Sequence, residues 1–323
     1  MRLRLAPEKT NIDFFAYQSL TLGFSGLMVV VSLIAWMVIG LNFGIDFRGG
    51  TTIRTESAQP VDVGAYRAAI APLDLGDVSI TEVFDPSFGP DENVAMIRIQ
   101  AQEDTSSITP ETLAQVETAL KAAAPDIVFA AVESVGPKAS GELVWKAILA
   151  MVSATAGILF YIWLRFEWQY AVGAVAALVH DVIVTIGLFA ILQMRFDLTI
   201  IAALLTILGY SINDTVVVFD RLRENLVKYK KMPLRDVMNL SVNETLSRTL
   251  MTSTTTLVAL AALIAFGGDV IRGFAFAIFW GIVIGTYSSV FVAKNIVLYL
   301  GVNREDKPKA ADDGAEDFSK IDA

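Results

Sequence analysis

The chain has 323 residues, 54% of them hydrophobic, with a mean hydropathy of +0.55 and a formal net charge of -9 at pH 7. Soluble domains are typically about 45–50% apolar, so this composition predicts several membrane spans. The absence of cysteine excludes disulfides and thiolate metal sites. A single histidine is too few to build a histidine-ligated metal centre. The negative net charge argues against nucleic acid as a partner. No GxxxxGK[ST] phosphate loop is present, so the chain itself shows no ATP-hydrolysing site.

Six apolar segments are long enough to cross a bilayer, which takes about 20 helical residues. A polar stretch, 42–142, separates the first segment from the other five, which form a membrane bundle over 143–300. The sequence therefore predicts a polytopic α-helical membrane protein with six transmembrane helices and one inserted domain. The predicted spans are 20–40, 143–164, 170–192, 198–219, 250–268 and 273 to about 300.

Lysine and arginine concentrate in the leader, 1–19, and in a basic loop, 220–248, between the fourth and fifth spans. Basic residues near span ends stay in the cytoplasm. Six spans put these two segments and the tail, 301–323, on one side, so we expect both termini to be cytoplasmic and 42–142 to be exported. The first apolar run is too long for a cleaved signal and is interpreted as an anchor, and the charged tail is expected to be disordered.

The exported stretch, 42–142, alternates strand and helix patterns in the order βαββαβ, which is the order of the ferredoxin-like α+β fold. It contains no histidine, no cysteine and no Gly-x-Ser-x-Gly sequence, so we predict a folded contact module rather than a catalytic domain. The predicted strands are GTTIRTE, VSITEVF, NVAMIRIQA and DIVFAAVESV, and the predicted helices are VDVGAYRAAIAPL and TPETLAQVETALKAAA.

Polar residues that ionise interrupt the spans at a few positions. Asp214 lies in the fourth span with Asn213 beside it, Arg248 lies at the start of the fifth, and His180 and Asp181 lie in the middle of the third. An ionised side chain in hydrocarbon costs roughly 2.5 kcal/mol or more, and such residues commonly mark ion pathways. Asp214 facing Arg248 would form a proton switch, because binding a proton would break the pair.

Interhelical hydrogen bonding is the alternative to a proton relay for Asp214, Asp181 and His180. Adjacent residues on a helix point about 100° apart, so we expect only one of His180 and Asp181 to face the bundle interior. Asn213 would either orient the Asp214 carboxylate or pack beside it.

Other polar or small residues of the spans have packing interpretations. Lys146 and Lys294 lie near span ends, where their ammonium groups are expected to reach the interface. The TSTTT run (252–256) is either a packing surface or a hydrated path, and GIVIG (281–285) is predicted to be a packing face.

Seven segments, in order and spacing from about residue 12 to 300, resemble the signature segments of the SecD/SecF family, which is part of the bacterial protein translocase. They are GIDFRGG (44–50), ESVGP…GEL (133–143), HDV (180–182), GYSINDTVVVFDRLREN (209–225), TLSRTLMTSTTT (245–256), FGG…RGFAFA (266–277) and GTYSSVF (285–291).

The resemblance implies a set of site residues. It implies that Asp214 is the functional intramembrane carboxylate and Arg248 its partner. His180, Asp181 and Asn213 lie in motif segments of the family, the first two as further candidates for the proton relay and Asn213 as an orienting or packing residue. Asp46, Gly49 and Gly50 belong to GIDFRGG and would form a periplasmic mouth or hinge.

The resemblance also implies a function and its partners. The family is similar to the resistance–nodulation–division transporters, and its members use the proton motive force to pull or release polypeptide late in export. The resemblance implies a transport subunit of the bacterial inner membrane rather than an enzyme, with 42–142 in the periplasm. No cofactor is expected, and the coupling ion would be the proton, with sodium as the alternative. The implied partners are SecD, the SecYEG channel, YajC, YidC, the ATPase SecA, membrane lipid and the exported unfolded polypeptide.

Two other functional classes stay open from the residues themselves. A proton-coupled small-molecule efflux half-transporter would use the same relay and would need an apolar pocket in the periplasmic domain. A non-transporting membrane assembly scaffold would have no ion coupling at all.

Overall fold

The computed structural model describes residues 10–86, 88–89, 91–101 and 108–302. The beginning of the leader and almost all of the predicted disordered tail lie outside the described residues. In chain order the elements are α1 (Gln18–Val38), β1 (Asn42–Phe43), α2 (Ile45–Arg48), β2 (Gly50–Ser57), α3 (Val63–Ile70), β3 (Val78–Val83), β4 (Asn93–Gln100), α4 (Pro110–Ala123), β5 (Val128–Val135), α5 (Pro137–Arg165), α6 (Trp168–Leu192), β6 (Arg195–Phe196), α7 (Leu198–Lys228), α8 (Leu234–Phe266), α9 (Asp269–Ser288), a π-helical turn (Ser289–Ala293) and α10 (Lys294–Leu300).

The six predicted spans are confirmed within the described residues. The helices α1, α5, α6, α7 and α8, and the continuous run from α9 through the π-helical turn to α10, are each long and apolar enough to cross a membrane. Helix α6 packs against α1, α5, α7, α9 and α10 and is therefore central, whereas α5 and α8 bury little of their apolar surface within the chain.

The basic segment 220–248 is not a loop, as the sequence suggested, but the two adjoining ends of α7 and α8. Only the turn 229–233 interrupts the helices. Arg221 Nε contacts Glu244 Oε2 at 2.7 Å, and Asn225 Nδ2 donates to the same oxygen at 2.7 Å, so the two helix ends are tied together. Hydropathy marks where a helix leaves hydrocarbon rather than where it ends, which is why the apolar pattern stopped short.

The inserted domain has the predicted ferredoxin-like fold. Its four-stranded sheet has the order β3-β4-β2-β5 with every pair antiparallel, and α3 and α4 cover one face. The core between them contains Ile53 and Ile97 of the central strands, Tyr66 of α3, and Val116 and Leu120 of α4. The domain ends at β5, and α5 begins at Pro137 rather than at 143, because the helix starts with proline at its first position and continues into the membrane.

A glycine is required where the first span meets the sheet. Gly50 begins β2 with φ of +132°, a conformation that side-chain-bearing residues rarely adopt. A Cβ added there would lie 2.4 Å from the carbonyl oxygen of Ile99 on β4, so the neighbouring strand leaves no room for a side chain.

The domain is attached to the start of α7. Strand β1 pairs in parallel with β6, and Gly44 N donates to Phe196 O at 2.8 Å. Asp46 Oδ2 then accepts a hydrogen bond from Leu198 N, the first residue of α7, at 3.1 Å. Burial, followed by the charge of the nearby Arg195, lowers the pKa of Arg98 on β4 to about 10. These contacts hold the domain against the first turn of α7.

A second attachment joins the domain to the start of α9. Phe84 N donates to Asp269 Oδ2 at 2.8 Å, and Asp269 N donates to Phe84 O at 3.2 Å. The side of the bundle that carries both attachments is called the domain side below, and the other is called the opposite side.

We expect Gly50→Ala to destabilise the α+β domain by about 1–3 kcal/mol, because of the positive φ and the contact with Ile99 O. Limited proteolysis of the full chain in detergent, as a function of temperature, measures this as a fall of more than about 5 °C in the domain's apparent Tm. Gly141→Ala is the matched control, since a Cβ there meets nothing within 4 Å. Equal melting of the two variants would contradict the strain at Gly50.

Candidate functional site

Asp214 lies where α7, α8 and α9 meet. It is 4% exposed and falls on the buried face of α7, one turn after Ser211. The hydroxyl of Ser253 and the charge of Arg248, both on α8, act on its carboxylate. Ser253 Oγ in turn pairs with Thr286 Oγ1 of α9 at 2.7 Å. The carboxylate is therefore surrounded by helices but supplied with hydroxyl groups.

Arg248 is exposed on α8. Among the described ion pairs, none within 4.0 Å joins its guanidinium to Asp214. The direct Asp214–Arg248 ion pair expected from the sequence is therefore not formed among the described residues, and the two side chains interact only through their charges. A carboxylate placed in this way can bind a proton without first breaking an ion pair.

Asp181 is a second buried carboxylate, with 0% exposure. Its Oδ2 accepts hydrogen bonds from Ser211 Oγ of α7 at 2.7 Å and from Ser288 Oγ of α9 at 2.8 Å. Its Oδ1 lies 3.1 Å from His180 Nδ1. The residue therefore joins α6, α7 and α9 through one side chain.

His180 is 6% exposed, so the expectation that only one residue of the His-Asp pair faces the interior is wrong. Helix α6 has other helices on several sides, so the two adjacent side chains can both point into the bundle. The His180 ring lies 6.3 Å from that of Tyr287, whose hydroxyl pairs with Ser25 Oγ of α1 at 2.9 Å. His180 Nε2 is buried without a hydrogen-bond partner among the described residues.

The GTYSS segment (285–289) connects the two carboxylates. Thr286 reaches Ser253 beside Asp214, and Ser288 reaches Asp181. A π-helical turn follows directly, and such turns often occur at functional sites. GTYSSVF is one of the family segments, but the sequence predicted no role for it. The signal that could have pointed to this site is the group of hydroxyl residues at the end of an apolar span.

Ser211, Thr286 and Ser288 are the site residues that the sequence did not single out, whereas Ser253 belongs to the TSTTT run (252–256), for which a hydrated path was one of two interpretations. Each is a hydroxyl residue on an apolar helix, and a hydroxyl can bond its own backbone as readily as a distant carboxylate. The pattern alone therefore does not distinguish the two uses.

The remaining predicted residues lie away from this site. Asn213 is exposed on the outer face of α7, and no hydrogen bond of its side chain is recorded among the described residues, so nothing supports an orienting role. Asp46 lies at the first turn of α7, about 24 Å along the helix from Asp214. Gly49 and Gly50 form the junction between α2 and β2. GIDFRGG thus belongs to the attachment of the domain.

No group of three or more His, Asp or Glu side chains that could hold a metal ion occurs in the part of the chain that the structure describes. The chemistry available to the site is proton binding at two carboxylates and hydrogen-bond exchange with hydroxyls.

Family models, individual sequences and solved structures all identify the same family for this chain. Residues 115–303 match the family model "Protein export membrane protein SecD/SecF, C-terminal", and residues 34–61 match "SecD/SecF GG Motif". Protein translocase subunit SecF of Cereibacter sphaeroides is 69% identical over 322 residues, covering 100% of this chain and 99% of the relative. Protein translocase subunit SecF of Rhodobacter capsulatus is 63% identical over 327 residues, covering 98% of each chain.

Solved structures agree with this assignment. The crystal structure of SecDF from Thermus thermophilus superposes with a TM-score of 0.81 at 32% identity over 93% of this chain. A SecDF structure in a super-membrane-facing form superposes with a TM-score of 0.65 at 34% identity, also over 93%. This chain spans 40% of each solved chain. The six-span chain with its inserted α+β domain belongs to the SecD/SecF family of protein export membrane proteins.

Proposed function

We propose that this chain is an accessory subunit of the Sec protein translocase that couples the proton motive force to late-stage export of polypeptides, acting with SecD. The carrying observation is the pair of buried carboxylates, Asp181 and Asp214, linked through α7 and α9 in a bundle whose relatives are named protein translocase subunit SecF. Protons are the proposed coupling ion, with sodium as the alternative, and no other cofactor takes part.

Asp214 is the proposed switch. Its protonation removes the negative charge that attracts Arg248 and alters its interaction with the nearby Ser253 hydroxyl, so the contact between α7 and α8 is altered. Moving one charge across 100 mV supplies about 2.3 kcal/mol. That energy shifts a two-state equilibrium roughly fiftyfold, enough to bias two arrangements of the helices.

The change reaches the α+β domain through the two attachments. Helix α7 carries Asp214 and begins at the Asp46 hydrogen bond, and α9 carries Thr286 and Ser288 and begins at Asp269. Movement of either helix is therefore transmitted to the domain without an intervening flexible linker. The domain, together with that of SecD, is proposed to hold and release the exported polypeptide.

Asp181 with His180 is proposed as a second proton-holding pair. Three donors or potential donors, the two serine hydroxyls and the imidazole, surround one carboxylate at 2.7–3.1 Å. Such a cluster can stabilise either the charged or the neutral acid by reorienting hydroxyl protons. Interhelical hydrogen bonding without proton transfer is the alternative role, and substitution of Asp181 by asparagine separates the two.

The proposed orientation puts the opposite side of the bundle in the cytoplasm and the domain in the periplasm. The basic residues at the ends of α7 and α8 support it, since Lys and Arg near span ends stay cytoplasmic. Both termini then lie in the cytoplasm, at a bacterial inner membrane. These basic residues are Arg221, Arg223, Lys228, Lys230, Lys231 and Arg235.

SecD is proposed to cover the open face of α7 and α8. Ala202, Thr206, Gly209 and Asn213 recur every three or four residues on α7 and are exposed, and a Cβ at Gly209 would meet nothing within 4 Å. Arg248 is exposed on the adjacent helix. Small residues allow close helix approach in lipid, and polar ones are costly there without a partner.

Other partners are proposed on the family likeness alone. They are the SecYEG channel, YajC, YidC, the ATPase SecA, lipid and the unfolded polypeptide.

The cavities of the domain do not favour small-molecule efflux. One of about 190 Å³ and one of about 60 Å³ lie among the described residues, and both have polar groups in their linings, including Asp74 in the first and Arg98 in the second. Drug-sized ligands occupy mostly apolar pockets of about 300–1,000 Å³. A larger space of about 400 Å³ is an open groove with a mixed lining, in which Arg67, Asp74 and Asp77 lie beside Ile70, Leu75 and Val78.

We expect Asp214→Asn to abolish the part of export that depends on the proton motive force, because asparagine keeps the size of aspartate but cannot bind and release a proton. Translocation of a preprotein into inverted membrane vesicles, with and without an imposed proton gradient, measures this. Insertion of the variant and its co-purification with SecD should be unchanged.

Arg248→Ala should resemble Asp214→Asn, whereas Arg248→Lys should keep partial activity because a positive charge is retained. Export at the wild-type level in Asp214→Asn at full potential would overturn the switch. Repeating the assay without sodium separates the two coupling ions.

If Asp181 and His180 hold protons, we expect Asp181→Asn to reduce gradient-dependent export by about tenfold or more. The loss should be this large because positioned acid–base groups typically contribute at least that much. Ser288→Ala removes one hydroxyl donor from the same carboxylate and is the control, with a much smaller loss. The same vesicle assay compares them. Full export in Asp181→Asn would assign Asp181 to helix packing.

We expect a cysteine at Thr206, carrying a photoactivated crosslinker, to form a product with SecD in membranes. The chain has no cysteine of its own, so the introduced thiol is unique. Leu164→Cys, on the exposed face of α5, is the control and should react mainly with lipid. Crosslinking to SecD from position 164 but not from 206 would put the interface elsewhere.

A further inference from the structure

The segment 10–15 is bound along the opposite side of the bundle by two asparagine side chains of α8. Ile12 N donates to Asn243 Oδ1 and Phe14 N donates to Asn239 Oδ1, each at 2.9 Å. Both amide Nδ2 groups donate to Ile12 O, at 3.0 Å from Asn239 and 2.9 Å from Asn243. The segment is thus held by its main chain, as an extended peptide would be.

Lys294 is buried beneath this segment, and the expectation that its ammonium reaches the interface is wrong. It is 1% exposed, with Nζ at 4.2 Å from the ring centre of Phe15, 4.9 Å from that of Phe14 and 5.3 Å from that of Phe291. No acceptor bonds Nζ among the described residues. The π-helical turn before it inserts one residue, which rotates the following side chains by about 100° around the helix.

Three aromatic rings around one ammonium form a cation–π contact. Two of the rings, Phe14 and Phe15, belong to the bound segment, so the charge of Lys294 holds the segment against α10. The contacts therefore fasten the segment at two places, the asparagines of α8 and the lysine of α10.

Phe14 completes an apolar cluster with one residue from each neighbouring helix: Val218 of α7, Val242 of α8 and Val290 of the π-helical turn. All four side chains are buried. Three of them are fixed on long helices, but Phe14 belongs to a short segment that precedes α1. Phe14 is thus the member of the cluster that can leave without moving a span.

This cluster covers the polar site from the opposite side. Val218 follows Asp214 by one helical turn on α7, and Val290 follows Thr286 by one turn on the sixth span. Val242 precedes Arg248 and Ser253, the α8 residues near Asp214, and α8 runs in the opposite direction to α7. The cluster therefore lies between Asp214 and the solvent on that side.

We propose that residues 10–15 are the cytoplasmic gate of the proton path through Asp214, an inference that rests on the proposed function and orientation. Phe14 is the seal, and Asn243 and Lys294 hold the seal in place. Apolar constrictions stop ions by excluding water, so the path opens when Phe14 leaves the cluster. Protons then pass from Asp214 to the cytoplasm, and the return of the segment closes the path behind them.

The test measures water access to the cluster directly. Val218→Cys is introduced into the otherwise cysteine-free chain, and inverted vesicles containing the complex with SecD are treated with a charged, membrane-impermeant methanethiosulfonate. Labelling is followed as a mass change of this chain. We expect Phe14→Ala to increase the labelling rate by about tenfold or more, because the open population rises.

Ile12→Ala is the matched control, since Ile12 lies in the same segment, is exposed, and uses only its main chain for binding. Its labelling rate should equal that of the wild-type segment. Asn243→Ala and Lys294→Met loosen the segment without removing the seal, and each should raise the rate in the same direction as Phe14→Ala. They keep the test available if Phe14→Ala fails to fold.

Equal, slow labelling of the wild-type segment, of Phe14→Ala and of the two loosening variants would overturn the gate. Fast labelling with the wild-type segment would overturn it as well, because the cluster would then be open to water. Neither result depends on export, so the gate can fail while Asp214→Asn still abolishes gradient-dependent export. Conversely, unchanged export in Asp214→Asn would overturn the proposed function without altering the labelling rates.

Discussion

The cost of holding a carboxylate in an apolar bundle is the constraint on which the packing of α6, α7 and α9 depends. An unpartnered charge in hydrocarbon costs roughly 2.5 kcal/mol or more, and Asp181 avoids it through hydroxyl donors at 2.7 and 2.8 Å from two different helices. The three helices must therefore stay in register. Close approach makes this possible, since a Cβ at Gly285 would lie 3.1 Å from the Ser211 hydroxyl.

The helices that carry the polar site also carry the attachments of the domain. Asp46 bonds the first residue of α7, and Phe84 exchanges two hydrogen bonds with Asp269 at the start of α9. Site and domain are thus joined by rigid elements rather than by a linker. Two solved SecDF structures, one of them in a super-membrane-facing form, superpose on this chain with TM-scores of 0.81 and 0.65 at similar identities.

Much of the fold was predictable because its signals are local. Apolar length marks a span, alternation marks a strand, and the order βαββαβ narrows the domain to the fold observed. Asp214 could be found in the same way, because an ionisable residue stands out in an apolar window. His180 and Asp181 show the limit: the helical angle between them was correct, but whether one or both face inward depends on how many helices surround α6. Lys294 shows it again, because a π-helical turn redirects its side chain and no hydropathy average detects such a turn.

The sequence by itself determined the six spans, the inserted α+β domain and the identity of the costly carboxylates, since these follow from composition and period along one segment. Only the tertiary structure decided what those carboxylates touch, where Asp46 acts and what surrounds Lys294. The physical reason is that hydrogen bonds such as Ser288 to Asp181 join residues 107 positions apart. Each depends on the relative placement of whole helices, and helix placement is set by packing across the bundle rather than by any one segment.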